Sequence, residues 1–407
     1  MWHHGFIKEE KQMRPWIIFI ALALLAGCDG GNGDQTDADA LETPETHDAS
    51  DTDAPPRPDA DADGEPDRDV PAEMPPETEG DPVPDPVDED APPPPTYFDE
   101  MILHSEGGRL ALPDGTPIGF SGAISCCMGG FGWPLYDEAW VDYVSSKGVN
   151  FLHARLGPFL TGAGGETDWA AVGGGYVEAE GRADLTAWNE VFWSRVRQLI
   201  EYAGSRGIWV EVDVADGWSI KHCQWGDLPG YSAWDAAYNV QGQDWCSTGG
   251  SGAVAPGSVH DLWVRKVFGE TARYGNVIYQ DGNEIGQVGG YSPEWTYSIK
   301  SILRDVESGS GYRTHIVGTN SGNGEAMQAA QVDYIELHQN TAPDPAGCFG
   351  KPCLCNEYNP NPALTPDELL QRYCEAQSWG TYFWYWRHGQ DDTQMEQTLS
   401  LIQLGCG

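Results

Sequence analysis

Positive charge is scarce in this sequence. Its 407 residues carry 22 Lys+Arg against 63 Asp+Glu, which gives a formal net charge of −41. A field of that sign repels phosphate groups, so the composition excludes a protein that binds nucleic acid by neutralising its backbone.

Several motifs that define enzyme classes are also missing. The sequence has no His-Glu-x-x-His zinc motif, and no Walker or dinucleotide fingerprint follows a predicted strand. Segments 119–123 and 318–322 each miss the nucleophile-elbow pattern by one position. A Cys-x-Cys pair at 353–355 lacks a second pair of zinc ligands at the usual spacing. We therefore expect no metal and no cofactor.

Long hydrophobic runs are absent too, and the one apolar run, residues 16–26, has the length of a signal-peptide core. A bilayer-spanning helix needs about 20 residues. The string 25–28, Leu-Ala-Gly-Cys, resembles the bacterial lipobox, in which the cysteine is acylated. We predict a lipoprotein signal peptide over 1–27, lipidation of Cys28 and export to a membrane-anchored position on the periplasmic face or the cell surface. The alternative is a buried helix that ends in cysteine. Met13 is a plausible start of the chain.

The next segment, 28–97, is predicted to be a disordered tether. Its last 69 residues contain 23 acidic residues, 15 prolines and no aromatic residue before Tyr97. Such a composition buries too little apolar surface to offset the entropy of the chain. Calcium binding by its Asp-rich repeats is a weaker alternative, because calcium loops need a glycine turn and a bidentate glutamate at fixed positions.

Residues 98–407 repeat a helix followed by a strand, which predicts an α/β domain with a parallel sheet. Helices are predicted over 137–144, 188–203, 262–274 and 369–379, and each ends near a glycine. Eight strands are predicted over 118–124, 149–154, 208–214, 277–280, 314–318, 332–337, 353–355 and 381–386. The length and the number of strands favour a (β/α)8 TIM barrel. A long insertion, 215–256, follows the third strand on the face where barrels carry active sites.

Two predicted strands, the fourth and the seventh, end in the same dipeptide, Asn283-Glu284 and Asn356-Glu357. Because these strands face each other across a barrel mouth, their carboxylates can converge. Two carboxylates about 5–5.5 Å apart serve a retaining glycosidase as acid/base and nucleophile. A surface position is the alternative for either glutamate alone.

With these residues the chain resembles glycoside hydrolase clan A, especially the family 5 cellulase-like group, over roughly 105–405. The resemblance implies that Glu284 is the acid/base and Glu357 the nucleophile. It implies a site arginine at 155, a site histidine at 338 and a sugar-stacking tryptophan at 386 or 384, of which we favour 386. The predicted substrate-binding residues are Arg155, Asn283, His338, Trp386, Trp218 and Asp213.

Two departures from the family pattern bear on substrate contacts: Ala215 and Asn340 stand where the family often has His and Tyr. A surface-tethered carbohydrate-binding protein without catalysis is therefore the alternative function. A different barrel hydrolase or a transglycosylase using the same carboxylates is a further one. The expected partners are a poly- or oligosaccharide and, through the anchor, a membrane, and the chain is expected to be a monomer.

The sequence does not decide the roles of three other polar residues on the strands. His153 is expected in the core or behind the site. Glu211 and Asp213 share one strand face, where they pair with Arg155 or one of them binds sugar. Exported proteins keep disulfides. Cys223 and Cys246 bracket the insertion as a natural pair, and the remaining connectivity is left open.

Overall fold

A computed structural model of the chain describes part of the sequence. The described residues are 97–124, 138–158, 174–217, 220, 224–225, 228–229, 232–246, 253–285, 293–320, 327–339, 345–358, 364–378, 382–385 and 393–406. They fall within one compact unit, Ala91–Gly407. The predicted signal peptide, Cys28 and nearly all of the predicted tether lie outside them.

The centre of this unit is an eight-stranded parallel sheet. In sheet order its strands are β3 (Gly122–Ile124), β4 (Phe151–Arg155), β7 (Trp209–Asp213), β10 (Val277–Gln280), β11 (Val317–Thr319), β12 (Tyr334–Gln339), β13 (Cys353–Tyr358) and β14 (Tyr382–Tyr385). Each strand is parallel to the next, and β14 also lies against β3. The sheet therefore curls into a (β/α)8 barrel, which confirms the predicted fold class and all eight predicted strands.

Helices follow most of these strands. They are α1 (Glu138–Ser146), α2 (Glu190–Ser205), α3 (Val259–Thr271), α4 (Pro293–Ser310), α5 (Pro366–Ser378) and α6 (Thr393–Leu404). The four predicted helices are present as α1, α2, α3 and α5. In the short connection before β13, the structure has one 3-10 turn, Pro345–Cys348.

Several helix boundaries differ from the prediction by two or three residues, and a capping side chain explains two of the helix starts. Helix α3 begins three residues earlier, because the Ser258 hydroxyl accepts a hydrogen bond from the Asp261 N–H and caps it. Trp188 belongs to a strand rather than to α2. The side chain of Asn189 accepts from the N–H groups of Val191 and Phe192 and starts the helix there.

Short antiparallel hairpins complete the described fold. They pair β1 (His104–Glu106) with β2 (Arg109–Ala111), β5 (Tyr176–Ala179) with β6 (Arg182–Trp188), and β8 (Gln224–Trp225) with β9 (Leu228–Pro229). The β1–β2 turn is Gly107-Gly108, and both glycines have positive φ, as a tight two-residue hairpin turn requires. None of these hairpins was predicted.

Aromatic side chains pack the outside of the barrel under α2 and α3. Trp193, Trp234 and Trp263 are fully buried, and the Trp263 indole N–H donates to the carbonyl of Val214, 2.9 Å away. This contact fixes α3 against the carboxyl end of β7, which is the end where the predicted site lies.

Disulfides cross-link the described chain near its C-terminus. Cys348 pairs with Cys353, and Cys374 pairs with Cys406. Cys246 is also disulfide-bonded. Its predicted partner, Cys223, lies outside the described residues.

Candidate active site

Arg155 and Asp213 are the last residues of neighbouring strands and form an ion pair at the rim of the barrel. They face each other in the register of β4 and β7. The Arg155 Nε lies 3.4 Å from Asp213 Oδ2, and both side chains are buried. The predicted pairing of Arg155 with this strand is therefore present, and Asp213 is the partner.

Asn283 continues this network to the fourth barrel strand. Its side-chain oxygen accepts from Arg155 Nη2 at 2.6 Å, and its Nδ2 donates to Asp216 Oδ1 at 3.0 Å. The backbone is held as well, since the Asn283 N–H donates to the Ala215 carbonyl at 3.1 Å. The amide of Asn283 is thus fixed by side chains from two other strand ends before any substrate binds.

Glu284 follows on the same loop and is partly exposed. Its φ is 49°, in the left-handed region that costs a residue with a side chain on the order of 1 kcal/mol. Such strain is found at sites where surrounding contacts force the backbone. Here the contact is Gly217, whose N–H donates to the Asn283 carbonyl at 2.8 Å. The backbone that carries Glu284 is therefore constrained at the rim.

A second polar cluster lies deeper in the barrel, around His153. The ring Nδ1 is 2.8 Å from Glu211 Oε2, and Nε2 is 2.8 Å from Asp213 Oδ2. The Tyr334 hydroxyl donates to Glu211 Oε1 at 2.6 Å. Burial by itself lowers the pKa of His153, but the Asp213 and Glu211 carboxylates outweigh it and raise that pKa to about 9. Glu211 therefore pairs with His153 and the phenol of Tyr334.

Asp281 supports the Asn283-Glu284 loop from the outer side. Its carboxyl accepts from the hydroxyls of Thr296 on α4 and Thr319 on β11, at 2.5 and 2.7 Å. Burial raises the pKa of this carboxyl to about 7, although the two hydroxyl donors act in the opposite direction. Asp281 thus ties the strand that precedes Glu284 to the neighbouring helix and strand.

The other predicted site residues are described only in part. Glu357 lies on β13 and His338 on β12, and the two are paired in the register of these strands. Their side chains, Trp218, Trp386 and Asn340 are outside the described residues. Their roles stay predictions, as does sugar contact by Asp213, which is fully buried.

Asp216 is a site residue that the sequence analysis missed. It is buried and forms an isolated bridge with Asn283 as well as the side-chain hydrogen bond. Its place directly after Ala215, where the third barrel strand ends, was the signal that points to it. Among the described residues, no group of three His, Cys, Asp or Glu side chains is placed to hold a metal ion.

The fold and this rim define the chain as a (β/α)8-barrel protein with a buried polar network at the carboxyl ends of its strands. No protein-family model matches the sequence, and no curated protein matches it. None of the helices in the described part of the chain is long and apolar enough to cross a membrane.

Solved structures with a similar backbone include three carbohydrate-active enzymes. One is a β-glucanase from Saccharophagus degradans in complex with cellotetraose, at 12% identity over 77% of this chain and 97% of that one, with a TM-score of 0.46. Another is a glycoside hydrolase family 5 mannosidase from Rhizomucor miehei, at 12% identity over 75% and 98% of the two chains, with a TM-score of 0.47. A third is a β-1,4-D-mannanase from Cryptopygus antarcticus, at 11% identity over 74% and 93%, with a TM-score of 0.45.

Proposed function

We propose that this chain is a retaining glycoside hydrolase that acts on a β-linked glycan. The observation that carries the proposal is the placement of Asn283-Glu284. The dipeptide lies at the carboxyl end of the fourth barrel strand, and Arg155 and Asp216 hold its asparagine. The second Asn-Glu pair lies near the carboxyl end of the seventh barrel strand, which supports assigning both glutamates to the rim where barrel enzymes carry their catalytic groups.

In this proposal the two glutamates divide the work of a double displacement. Glu284 gives its proton to the leaving oxygen while the Glu357 carboxylate attacks the anomeric carbon. The glycosidic bond breaks and a glycosyl-enzyme ester forms. Glu284, now a carboxylate, takes a proton from water, whose oxygen attacks the anomeric carbon and releases Glu357.

The neighbouring side chains supply orientation and charge. Asn283 keeps one side-chain N–H beyond its bond to Asp216, and that N–H suits a sugar 2-hydroxyl, whose hydrogen bond strengthens in the transition state. The guanidinium of Arg155 favours the ionised form of a nearby carboxylate, which is the form that a nucleophile requires. Asp213 serves the site through Arg155. His338, Trp218 and Trp386 are proposed to contact the sugar.

The proposal also places the enzyme at a membrane. Acylation of Cys28 would anchor it, and several acyl chains on one cysteine hold a protein stably where a single chain does not. An extended segment 28–97 would reach roughly 200 Å from the anchor, at about 3.1 Å per residue. Such a reach suits a polymeric substrate outside the cell. Mass spectrometry of the N-terminal peptide, compared with a Cys28→Ser variant, tests the anchor.

The test of the mechanism is hydrolysis of a panel of β-glycans by the purified protein, beside Glu357→Ala with and without azide. We expect the substitution to abolish turnover, and azide to restore it with an inverted glycosyl azide as product. Glu284→Gln should also be inactive. Glu180→Gln is its matched control, because Glu180 likewise has a left-handed φ, 54°, but lies in the β5–β6 turn. Loss of activity only at Glu284 ties the effect to the rim.

The non-catalytic alternative predicts a different result from the same panel. No turnover by the parent, together with glycan affinity that is unchanged in Glu284→Gln, would favour a tethered carbohydrate-binding protein. Turnover that yields longer products instead of hydrolysis would favour a transglycosylase.

A further inference from the structure

His153 lies between two carboxylates, and a neutral imidazole cannot donate a hydrogen bond to both of them. It lies in the middle of β4, fully buried, directly opposite Glu211 on β7. One ring nitrogen faces Glu211 Oε2 and the other faces Asp213 Oδ2, both at 2.8 Å. A neutral ring has one N–H, so its second nitrogen would turn a lone pair toward a carboxylate oxygen. With both acids ionised, the contacts therefore require the imidazolium.

The charges of the neighbouring side chains also favour a positive charge on the His153 ring. Two carboxylates touch the ring, and without the imidazolium Arg155 would be their one cation among the described residues at this place. Among the described side chains, the other titratable groups on the elements packed here are neutral or acidic, namely Tyr279 on β10, Asp281 after β10, and Tyr334 and Glu336 on β12. A buried carboxylate that loses its cation is strongly destabilised.

Asp213 connects this ring to the rim. Its Oδ2 accepts from His153 at 2.8 Å and from Arg155 at 3.4 Å, while its Oδ1 has no partner among the described residues. The shorter of the two bonds comes from the histidine, so the histidine sets where the carboxylate lies. Arg155 in turn donates to Asn283, the residue before Glu284.

We infer that His153 is a positioning residue of this site: held as an imidazolium by Glu211 and Asp213, it fixes Asp213, and Asp213 aims Arg155 at the Asn283-Glu284 loop. The inference rests on the proposed function, because it assigns His153 to the aim of the proposed acid/base. The orientation of Glu284, which must protonate the leaving oxygen, then depends on the charge of His153. That charge acts through Asp213 and Arg155.

The test uses the dependence of the rate on the leaving group. A poor leaving group needs protonation by Glu284, whereas an activated dinitrophenyl group departs without it. In His153→Gln we expect kcat/KM on an unactivated glycoside to fall by about tenfold to hundredfold, the cost of a misplaced catalytic group. With the dinitrophenyl glycoside kcat/KM, which reports the first step, should stay within about twofold to threefold of the parent. Its kcat should fall, because Glu284 must still take a proton from water in the second step.

His315→Gln is the matched control. His315 is also buried and paired with a carboxylate, Glu307 Oε1 at 2.9 Å, but it lies against α4 on the outside of the barrel. It should lose comparable stability without any dependence on the leaving group. If His153→Gln does not fold, ¹⁵N NMR of the parent at pH 8 decides, since both ring nitrogens of His153 should carry protons there.

The outcomes separate the two proposals. A parent that hydrolyses no glycoside overturns the proposed function and this inference with it. An active parent whose His153→Gln variant loses the same factor in kcat/KM on both substrates, or whose His153 ring is neutral at pH 8, overturns the inference alone.

Discussion

The close approach of Gly217 to the loop that carries Glu284 gives a sharp test of how the rim is built. A Cβ at position 217 would lie 2.9 Å from the Glu284 carbonyl oxygen, 3.0 Å from the Asn283 carbonyl oxygen and 3.1 Å from the Glu284 carbonyl carbon. All three are backbone atoms, so no side-chain rotation relieves the contact. In Gly217→Ala the loop has to move by about 0.5 Å to restore ordinary contact distances.

The expected cost follows from that displacement. Overpacking of this kind destabilises a protein by about 1–3 kcal/mol. A shift of 1 Å in a catalytic group lowers the rate by about 10²-fold, so about half that distance should lower kcat/KM by roughly tenfold. The proposed acid/base moves because its own carbonyl is the nearest atom to the new methyl group.

The assays are urea denaturation and hydrolysis of the best glycan from the panel, with Gly269→Ala as the control. A Cβ at position 269, inside α3, meets nothing within 4 Å. That variant should keep full activity and gain about 0.5–1 kcal/mol, because alanine favours a helix more than glycine does. A Gly217→Ala variant as stable and as active as the parent would refute the argument from close contact.

Three further predictions concern stability. Replacing both Cys374 and Cys406 with Ser should lower the free energy of unfolding by about 2–4 kcal/mol, because this disulfide closes a loop with a sequence separation of 32. Reduction of this disulfide should lower the Tm of the parent, and the variant should lack that part of the decrease. Asn276→Ala should cost about 2 kcal/mol in chemical denaturation, because the Asn276 amide donates to two backbone carbonyls, one in α2 and one before β7. Burial raises the pKa of Asp281 from 3.8 to about 7, so the folded state binds its proton more tightly and stability from this group falls as pH rises through that window. Asp281→Asn lacks this loss, and its stability relative to the parent should improve between pH 4 and pH 8, whereas a difference that is flat with pH would contradict the shifted pKa.

Periodicity in the sequence was sufficient to predict the barrel. Four helices that end near glycine located the strands that follow them, and short apolar runs indicated the others, even the brief Cys-Leu-Cys run at 353–355. The missed helix α4 had the same kind of pattern, because Trp295, Ile299, Ile302 and Leu303 recur at helical spacing and are buried. It was therefore predictable in principle, and the early start of α3 was signalled by the capping residue Ser258.

The polar network of the site was less accessible to sequence reasoning. Alternation along a strand shows that Glu211 and Asp213 share a face, but it does not say which cation each one meets. The register of β4 against β7 decides that, by placing His153 opposite Glu211 and Arg155 opposite Asp213. Register arises from tertiary packing across some 60 residues of chain, so no local pattern contains it.

Ala215, which stands where the family that the sequence resembles often has His, bears directly on the choice between the proposed hydrolase and the non-catalytic carbohydrate-binding protein. In this chain the Ala215 carbonyl accepts from the Asn283 N–H, and the next residue, Asp216, binds the Asn283 side chain. Burying Arg155, Asp213 and Asn283 in one network is costly unless each group finds its partners. A barrel that served as a binding surface alone would be more stable with apolar residues at these positions. This network therefore favours the proposed site, in which the direction of Glu284 matters.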